Sequence, residues 1–324
     1  MTSLQFSFER PTGFQTACER DSLLFGSADW LSILEAGFNC RTLFAWDGQG
    51  GAAISLFRAG PFSVGYLGFP TGAVVGSGVD RTSIFEGLTN ARLPGKPVCL
   101  RTVASAFPVL EKLRYTSVAN PETAICDLQQ WSLKGVSQKA RRIRKALREG
   151  LRIERAVDEA FGARLYELYA AVIESHGGSA RYNEDYFTAA VECSTRSELL
   201  DVRIAMRDSD LAGFLVTGRH GGTTYYLHGG TDPRFRALSP SDLLMADAIK
   251  EARDRGCDCF NFMASPPDQP TLVRYKEKWG GETRQQNTHT AGMGAMYPLF
   301  RVAESLYKRL AWISPAGLRS GISG

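Results

Sequence analysis

The sequence predicts a mixed α/β fold, an α+β arrangement with mixed sheets built as two tandem domains, and three observations carry that prediction. At 324 residues the chain is longer than one hydrophobic core usually sustains. Between residues 200 and 262, three apolar strands follow one another through short turns, and a helix then leads to a fourth strand. Such a crossover returns its strand parallel to the one before it. Upstream of Thr116 a separate alternation of strands and helices suits a second unit, and Asn120 with Pro121 marks a junction. The domains are therefore read as 1–123 and 124–324.

In the first domain Ser27, Ala28 and Asp29 open a helix through Leu34, with Ser27 as its cap. Segments 41–46, 52–57 and 64–67 have the apolar content of strands and are parted by Gly-rich turns. Residues 82–91 place Ile84, Leu88 and Ala91 on one helical face, and 98–103 returns as a strand. Few titratable groups lie close together here, so this domain reads as scaffold and binding wall.

The second domain begins with a strand at 124–128. A helix starts at Ser137, spaces Ala140, Ile143, Leu147 and Leu151 as one buried stripe, and ends at Gly150. A strand at 152–155 and a helix over 158–175 follow, the latter amphipathic through Phe161, Leu165, Leu168 and Val172. The loop His176-Gly177-Gly178 leads to a helix over 184–193, and 200–206 and 211–217 form a hairpin around Asp208-Ser209-Asp210. Strand 224–228, helix 240–255 and strand 258–262 complete the core. Arg274, Lys276 and Lys278 alternate with Tyr275 and Trp279 as on an exposed strand or turn with its aromatics inward, and 297–312 is an amphipathic helix.

Composition narrows the function classes. With 44% hydrophobic and 22% charged residues the chain can bury ordinary cores and is neither disordered nor fibrous. The longest apolar runs, such as 72–75 and 211–216, fall far short of the roughly 20 residues a bilayer span needs. Met1 to Arg10 carries Glu9 and lacks the basic-then-apolar layout of a signal peptide, so a cytoplasmic protein is expected. Seven cysteines without a framework read as free thiols. Cys257 and Cys259 read as two small buried hydrophobes rather than a metal pair. No metal is expected, since His220 and His289 stand alone, and no Ser-His-Asp order or G-x-S-x-G elbow appears.

The net charge of +4 is modest, but its distribution is uneven. Lys134, Lys139, Arg141, Arg142, Arg144, Lys145, Arg148 and Arg152 face only Glu149. A solvated helix usually mixes acids with bases, so Arg141, Arg142, Arg144 and Lys145 are candidate contacts for tRNA, a nucleotide-sugar diphosphate or an anionic membrane surface. Ser239 and Asp242 have the spacing of a capping box at the start of helix 240–255.

Together, the run Lys139-Ala140-Arg141-Arg142-Ile143-Arg144-Lys145-Ala146 before Gly150-Leu151, the strand Tyr226-Leu227-His228-Gly229, Ser239-Pro240 ahead of Leu243-Leu244, Phe260-Asn261-Phe262, and Tyr275-Lys276 before Trp279-Gly280 resemble the Fem-type branch of the GNAT acyltransferase superfamily. That branch holds the FemA, FemB and FemX peptidyltransferases and the CelD-like or BioF-like acetyltransferases. The resemblance covers roughly 124–290, and the first half by layout alone. It implies two tandem GNAT-like domains, the first degenerate, and direct attack of an amine on an activated carbonyl. The acceptor would be a small-molecule or lipid-linked amine of a cell-envelope or polysaccharide precursor. The donor would be acyl-CoA or aminoacyl-tRNA as co-substrate, with no tightly bound cofactor; tRNA and a peripheral membrane surface are the implied partners.

The resemblance also assigns residues. Lys276 is associated with the transferring carbonyl or a phosphate, where a cation would stabilise an oxyanion; Lys276→Met is then expected to abolish transfer and leave the melting temperature nearly unchanged. His228 and Asp232 lie where the strand leaves the sheet, as proton acceptors or as structural groups. Tyr226, Asn261 and Tyr275 would line the substrate cleft, and His176 would contact the acceptor. A coenzyme A enzyme brings a Q/R-x-x-G-x-G/A loop to the helix start, because glycines let successive N–H groups wrap a pyrophosphate. Here that segment, Arg234 to Ser241, has no glycine, and Pro240 removes one donor. Arg234, Arg236, Ser239 and Ser241 remain as candidate ligands of a phosphate or carboxylate. Loss of that loop equally suits a catalytically silent GNAT-like module that binds an anionic envelope precursor.

Overall fold

The structure, a computed structural model, describes residues 4–21, 23–72, 74–76, 80–104, 113, 115–175, 180–267 and 269–313. The chain divides into two units, one of Met1–Val118, Ile173–Arg181 and Asn287–Gly324, the other of Ala119–Val172 and Tyr182–Gln286.

The first unit contains β1 (Gln5–Ser7), α1 (Phe14–Arg20), α2 (Ala28–Gly37), β2 (Cys40–Trp46), β3 (Gly51–Ala59), β4 (Phe62–Leu67), α3 (Arg81–Asn90) and β5 (Cys99–Ala104). Ser27 caps α2 by accepting from the Trp30 N–H, and Asp80 caps α3 by accepting from that of Thr82. β4 and β5 run parallel with α3 between them, while β1–β2, β2–β3 and β3–β4 are antiparallel. Leu43, Ile54, Leu67, Leu88 and Leu100 centre its core. The sequence gives no warning of α1, because Gly13 at its N-terminus offers no capping side chain and the first turn has no acid.

β6 (Thr116–Ile125) leads into the second unit. There follow α4 (Ser137–Arg148), β7 (Leu151–Arg155), α5 (Phe161–Ser175), α6 (Glu184–Arg196), β8 (Leu200–Arg207), β9 (Asp210–His220), β10 (Thr223–Thr231), α7 (Pro240–Asp254), β11 (Cys259–Ala264) and α8 (Pro270–Glu277). β12 (Glu282–Gly292) leads back to the first unit, and α9 (Tyr297–Ile313) ends the described chain. The strand order is β6-β11-β10-β9-β8-β7. β8, β9 and β10 form the expected antiparallel meander, and α7 returns the chain as β11, parallel to β10. This is the mixed α/β architecture that the strand and helix pattern predicts.

Three local readings are corrected. Asn120 and Pro121 lie inside β6 rather than in a linker. The buried stripe of α4 is Lys139, Ile143 and Ala146, one register away from the expected Ala140, Ile143 and Leu147, and Leu147 is exposed. The shift follows from Lys139, whose ammonium has a buried partner described below. Arg274 to Lys276 are helical, so the helical period carries Lys276 inward where a strand period would have left it outside. β12 has no counterpart in the sequence reading: its burial alternates only from Asn287 on, where it pairs with β5.

Candidate active site

The site is built where β10 and β11 part. Their parallel pairing runs Thr223↔Cys259, Thr224↔Phe260, Tyr225↔Asn261, and stops. β10 continues to Thr231 along β9, and β11 continues until Ala264 faces Glu122 of β6. Both strands shift register at the same level, between Tyr226 and His228 on one and between Asn261 and Ala264 on the other. Past this point neither strand hydrogen-bonds the other, and main-chain N–H groups turned into such an opening can bind an acyl oxygen as charge develops on it.

The β11 wall is held by side chains. Met263 has φ +62°, an uncommon left-handed conformation for a non-glycine residue. Its N–H donates to Asn261 Oδ1 at 2.7 Å. Its carbonyl accepts from Lys276 Nζ at 2.8 Å, and the same ammonium donates to Ser265 Oγ at 2.8 Å and reaches the Ala264 carbonyl at 3.4 Å. Lys276 is 3% exposed, and burial pushes its ammonium down to about 8, with Glu122 acting in the opposite direction. Asn261 and Lys276 thus clamp the bent end of β11 from two sides.

The residues after Lys276 fix α8 in place. Gly280 takes φ +88° at the helix end, and a Cβ on Gly281 would lie 2.6 Å from Thr123 Cγ2. The indole N–H of Trp131 donates to the Trp279 carbonyl at 2.8 Å. The Trp-Gly-Gly run is therefore a backbone requirement of the clamp.

On β10, Leu227 is the extra residue of the bulge, since Tyr226 pairs with Thr217 and His228 with the adjoining Val216. The break in alternation sends Tyr226 into the cluster of α7 and β11, while His228 packs against the rings of Tyr169, Tyr182, Tyr186 and Phe187. His228 Nε2 lies 2.9 Å from Tyr186 Oη, and burial pushes the imidazole down to about 3. The ring is thus neutral throughout the working range. Its NMR resonances are expected not to titrate between pH 5 and 8, and a shift near 6.5 would contradict the burial. The unfolded chain takes up this proton below the ordinary imidazole value of 6.5, but the native state does not until about 3. His228 therefore adds a loss of stability as pH falls through that window.

Several candidate ligands are engaged with one another. Asp232 accepts from the Arg234 N–H at 2.8 Å and binds its guanidinium through Nε at 3.0 Å and Nη2 at 2.7 Å, which holds the carboxyl below its usual range. It caps the 3-10 turn Pro233–Leu238. Arg236 and Ser241 are exposed, and burial pushes the Tyr275 hydroxyl up. His176 lies outside the described residues.

The capping box does not form. Ser239 adopts the left-handed conformation, φ 56°, where an N-cap that bonds the first turn is extended, and its side chain makes no cap bond. Asp242 instead accepts from Lys139 Nζ at 2.6 Å and from Arg142 Nη1 at 3.4 Å. Lys139 lies over the rings of Tyr275 at 4.3 Å and Trp279 at 4.8 Å. Burial lowers the Lys139 ammonium below its ordinary value while Asp242 supports it. The N–H groups of Asp242 and Leu243 both bond the Ser239 carbonyl, at 3.1 and 3.3 Å. The first turn of α7 thus carries its own carboxylate and partnered N–H groups, the opposite of a phosphate cradle. Beside it Lys145 donates to the Ala237 carbonyl at 3.3 Å, and Arg141 and Arg144 are exposed. Sequence reading missed the Lys139–Asp242 pair; the signal was available in the i, i+4, i+7 spacing of Lys139, Ile143 and Ala146.

Residues 134–277 match the family model of the acetyltransferase (GNAT) domain. A GNAT domain therefore lies within that segment. The match spans α4 through α8 and so includes the strand opening, the Lys276 clamp and the Lys139–Asp242 pair. Among solved structures, FemX is similar over 93% of this chain and 100% of its own, with TM-score 0.63 and 14% identity. L-PGS from Bacillus licheniformis is similar over 95% and 98%, with TM-score 0.59 and 13% identity. The C-terminal domain of a putative lysylphosphatidylglycerol synthetase from Agrobacterium fabrum is similar over 90% and 95%, with TM-score 0.62 and 12% identity. The fold of the chain is thus the one these three structures share. No curated protein sequence matches the chain. Among the described residues no cluster of three or more His, Cys, Asp or Glu is placed to hold a metal ion, and no helix is long and apolar enough to cross a membrane.

Proposed function

We propose that the protein is an N-acyltransferase that moves an aminoacyl group from a polyanionic carrier of the aminoacyl-tRNA kind to an amine of a lipid-linked or polysaccharide precursor of the cell envelope. The observation that carries this reading is the first turn of α7, which holds the Asp242 carboxylate and two N–H groups already bonded to the Ser239 carbonyl. A carboxylate there repels a second anion, and Lys139 and Arg142 are spent on neutralising it. The exposed cations of α4, Arg141 and Arg144, suit a carrier whose charge is spread over many phosphates. Likeness in fold to FemX and to a putative lysylphosphatidylglycerol synthetase supports an envelope acceptor. In this reading the amine attacks the carbonyl in the strand opening, main-chain N–H groups steady the oxyanion, and the proton leaves to water or to a substrate phosphate.

Filter binding with charged tRNA tests the donor. Affinity is expected to fall steeply with salt, and Arg141→Glu with Arg144→Glu is expected to weaken it by about 10- to 100-fold. The second reading, an acyl-CoA donor, is favoured by the acetyltransferase family match. Calorimetry with acetyl-CoA separates the two, and micromolar binding without any response to tRNA would replace the first reading by the second.

A further inference from the structure

We propose that Cys126 and Cys259 are an oxidation site, a facing pair of thiols that a peroxide converts to a cross-strand disulfide at the base of the strand opening. The antiparallel register of β11 and β6 sets Phe260 against Ile125 and Asn261 against Ala124. The next residues along are Cys259, which begins β11, and Cys126, at the bend that ends β6. Facing residues on antiparallel strands have Cα atoms about 4.5–5.5 Å apart, inside the range a disulfide spans. Burial follows the same alternation: Ile125 and Phe260 point into the core, while Ala124, Asn261, Cys126 and Cys259 are all at least partly exposed. Cys18, Cys40, Cys99, Cys193 and Cys257 are buried, Cys259 is half-buried and Cys126 is exposed.

Exposure decides the order of events. The Cys126 thiolate attacks the peroxide, so an S–O bond forms, the O–O bond breaks and an alcohol or water leaves. Cys259 then attacks the Cys126 sulfur: the S–S bond forms, the S–O bond breaks, and the departing hydroxide takes the Cys259 proton as water. Two thiols are oxidised and one peroxide is reduced. Cys259 is the resolving partner because burial, with Cys126 and Glu122 adding to it, pushes its thiol up to about 12 and keeps it protonated until the sulfenic acid forms beside it. The bond would tie β11 to β6 two residues before Asn261, which holds the Met263 turn.

The full chain, treated with stoichiometric hydrogen peroxide and digested without reduction, is expected to yield one peptide joining Cys126 to Cys259. Thiol reductant should reverse it. Because the bridge closes most of the second unit into a loop, oxidation should raise the Tm by about 10 °C. Cys259→Ser should leave a Cys126 sulfenic acid trapped by dimedone, and Cys126→Ser should leave Cys259 unmodified. Sulfinic acid at Cys126 with Cys259 free, or a bridge through any other cysteine, would overturn the proposal. So would an unchanged Tm in a sample with the bridge mapped, because it would remove the link to β11.

Discussion

Lys276→Met is expected to lower transfer by about 10²- to 10³-fold and to lower the Tm as well. The second half of this expectation departs from the sequence reading, in which Lys276 sat on an exposed element and its loss left stability untouched. In the fold the ammonium is buried and bonded to the Met263 carbonyl and Ser265 Oγ. A methionine has the volume but no donors, so it strands a buried carbonyl and a hydroxyl at a cost of about 3 kcal/mol. Met263 then has less reason to hold φ +62°, and β11 can pair further along β10, which closes the opening. Activity and order at β11 should therefore fall together. A second readout isolates the ammonium. Its folded pKa of about 8 lies below the ordinary lysine value of 10.5. Between those values the unfolded chain binds the proton and the native chain does not, so Lys276 makes stability rise with pH across that window. Denaturant titrations from pH 7.5 to 10.5 should show this rise in the native protein and a weaker one in Lys276→Met. Full activity in a folded Lys276→Met protein would remove the clamp from the mechanism.

Legibility in the sequence followed the range of the interactions involved. The meander, α7 and β11 are local patterns of apolar alternation and helical period, and they were readable residue by residue. β1 and α1 were not, because they are short and uncapped and owe their existence to packing against β2. The site divides in the same way. Lys276 and Asn261 were singled out by the resemblance, while the parting of β10 and β11 shows only in their register. Their actual partners, Met263 and Ser265, depend on α8 being helical, which Pro270 at its first turn permits but an alternating Arg-Tyr-Lys run disguises. Asp242 was the plainest ambiguity. Its spacing from Ser239 fits a local cap, and only the fold reveals a buried ammonium 103 residues away in sequence competing for the carboxylate.

That ammonium sets the last expectation. Lys139→Met should cost about 3–5 kcal/mol of unfolding free energy, because it leaves the Asp242 carboxylate buried with only the longer, largely exposed Arg142 contact. Asp242→Asn should cost less, about 1–3 kcal/mol, since the amide oxygen can still accept from Lys139 and the rings of Tyr275 and Trp279 still face the cation. The double variant should lose less than the sum of the two, and denaturant unfolding of all four proteins gives the coupling directly. Additive losses would mean that the 2.6 Å contact contributes nothing beyond shape. The same substitution probes donor choice. In Asp242→Asn the start of α7 keeps its dipole and gains an uncompensated Lys139, so it should acquire affinity for a pyrophosphate that the native protein lacks. Calorimetry with coenzyme A on both proteins reads this. Equal binding would show that the carboxylate does not exclude phosphate, and the argument for a carrier other than coenzyme A would lose its physical basis.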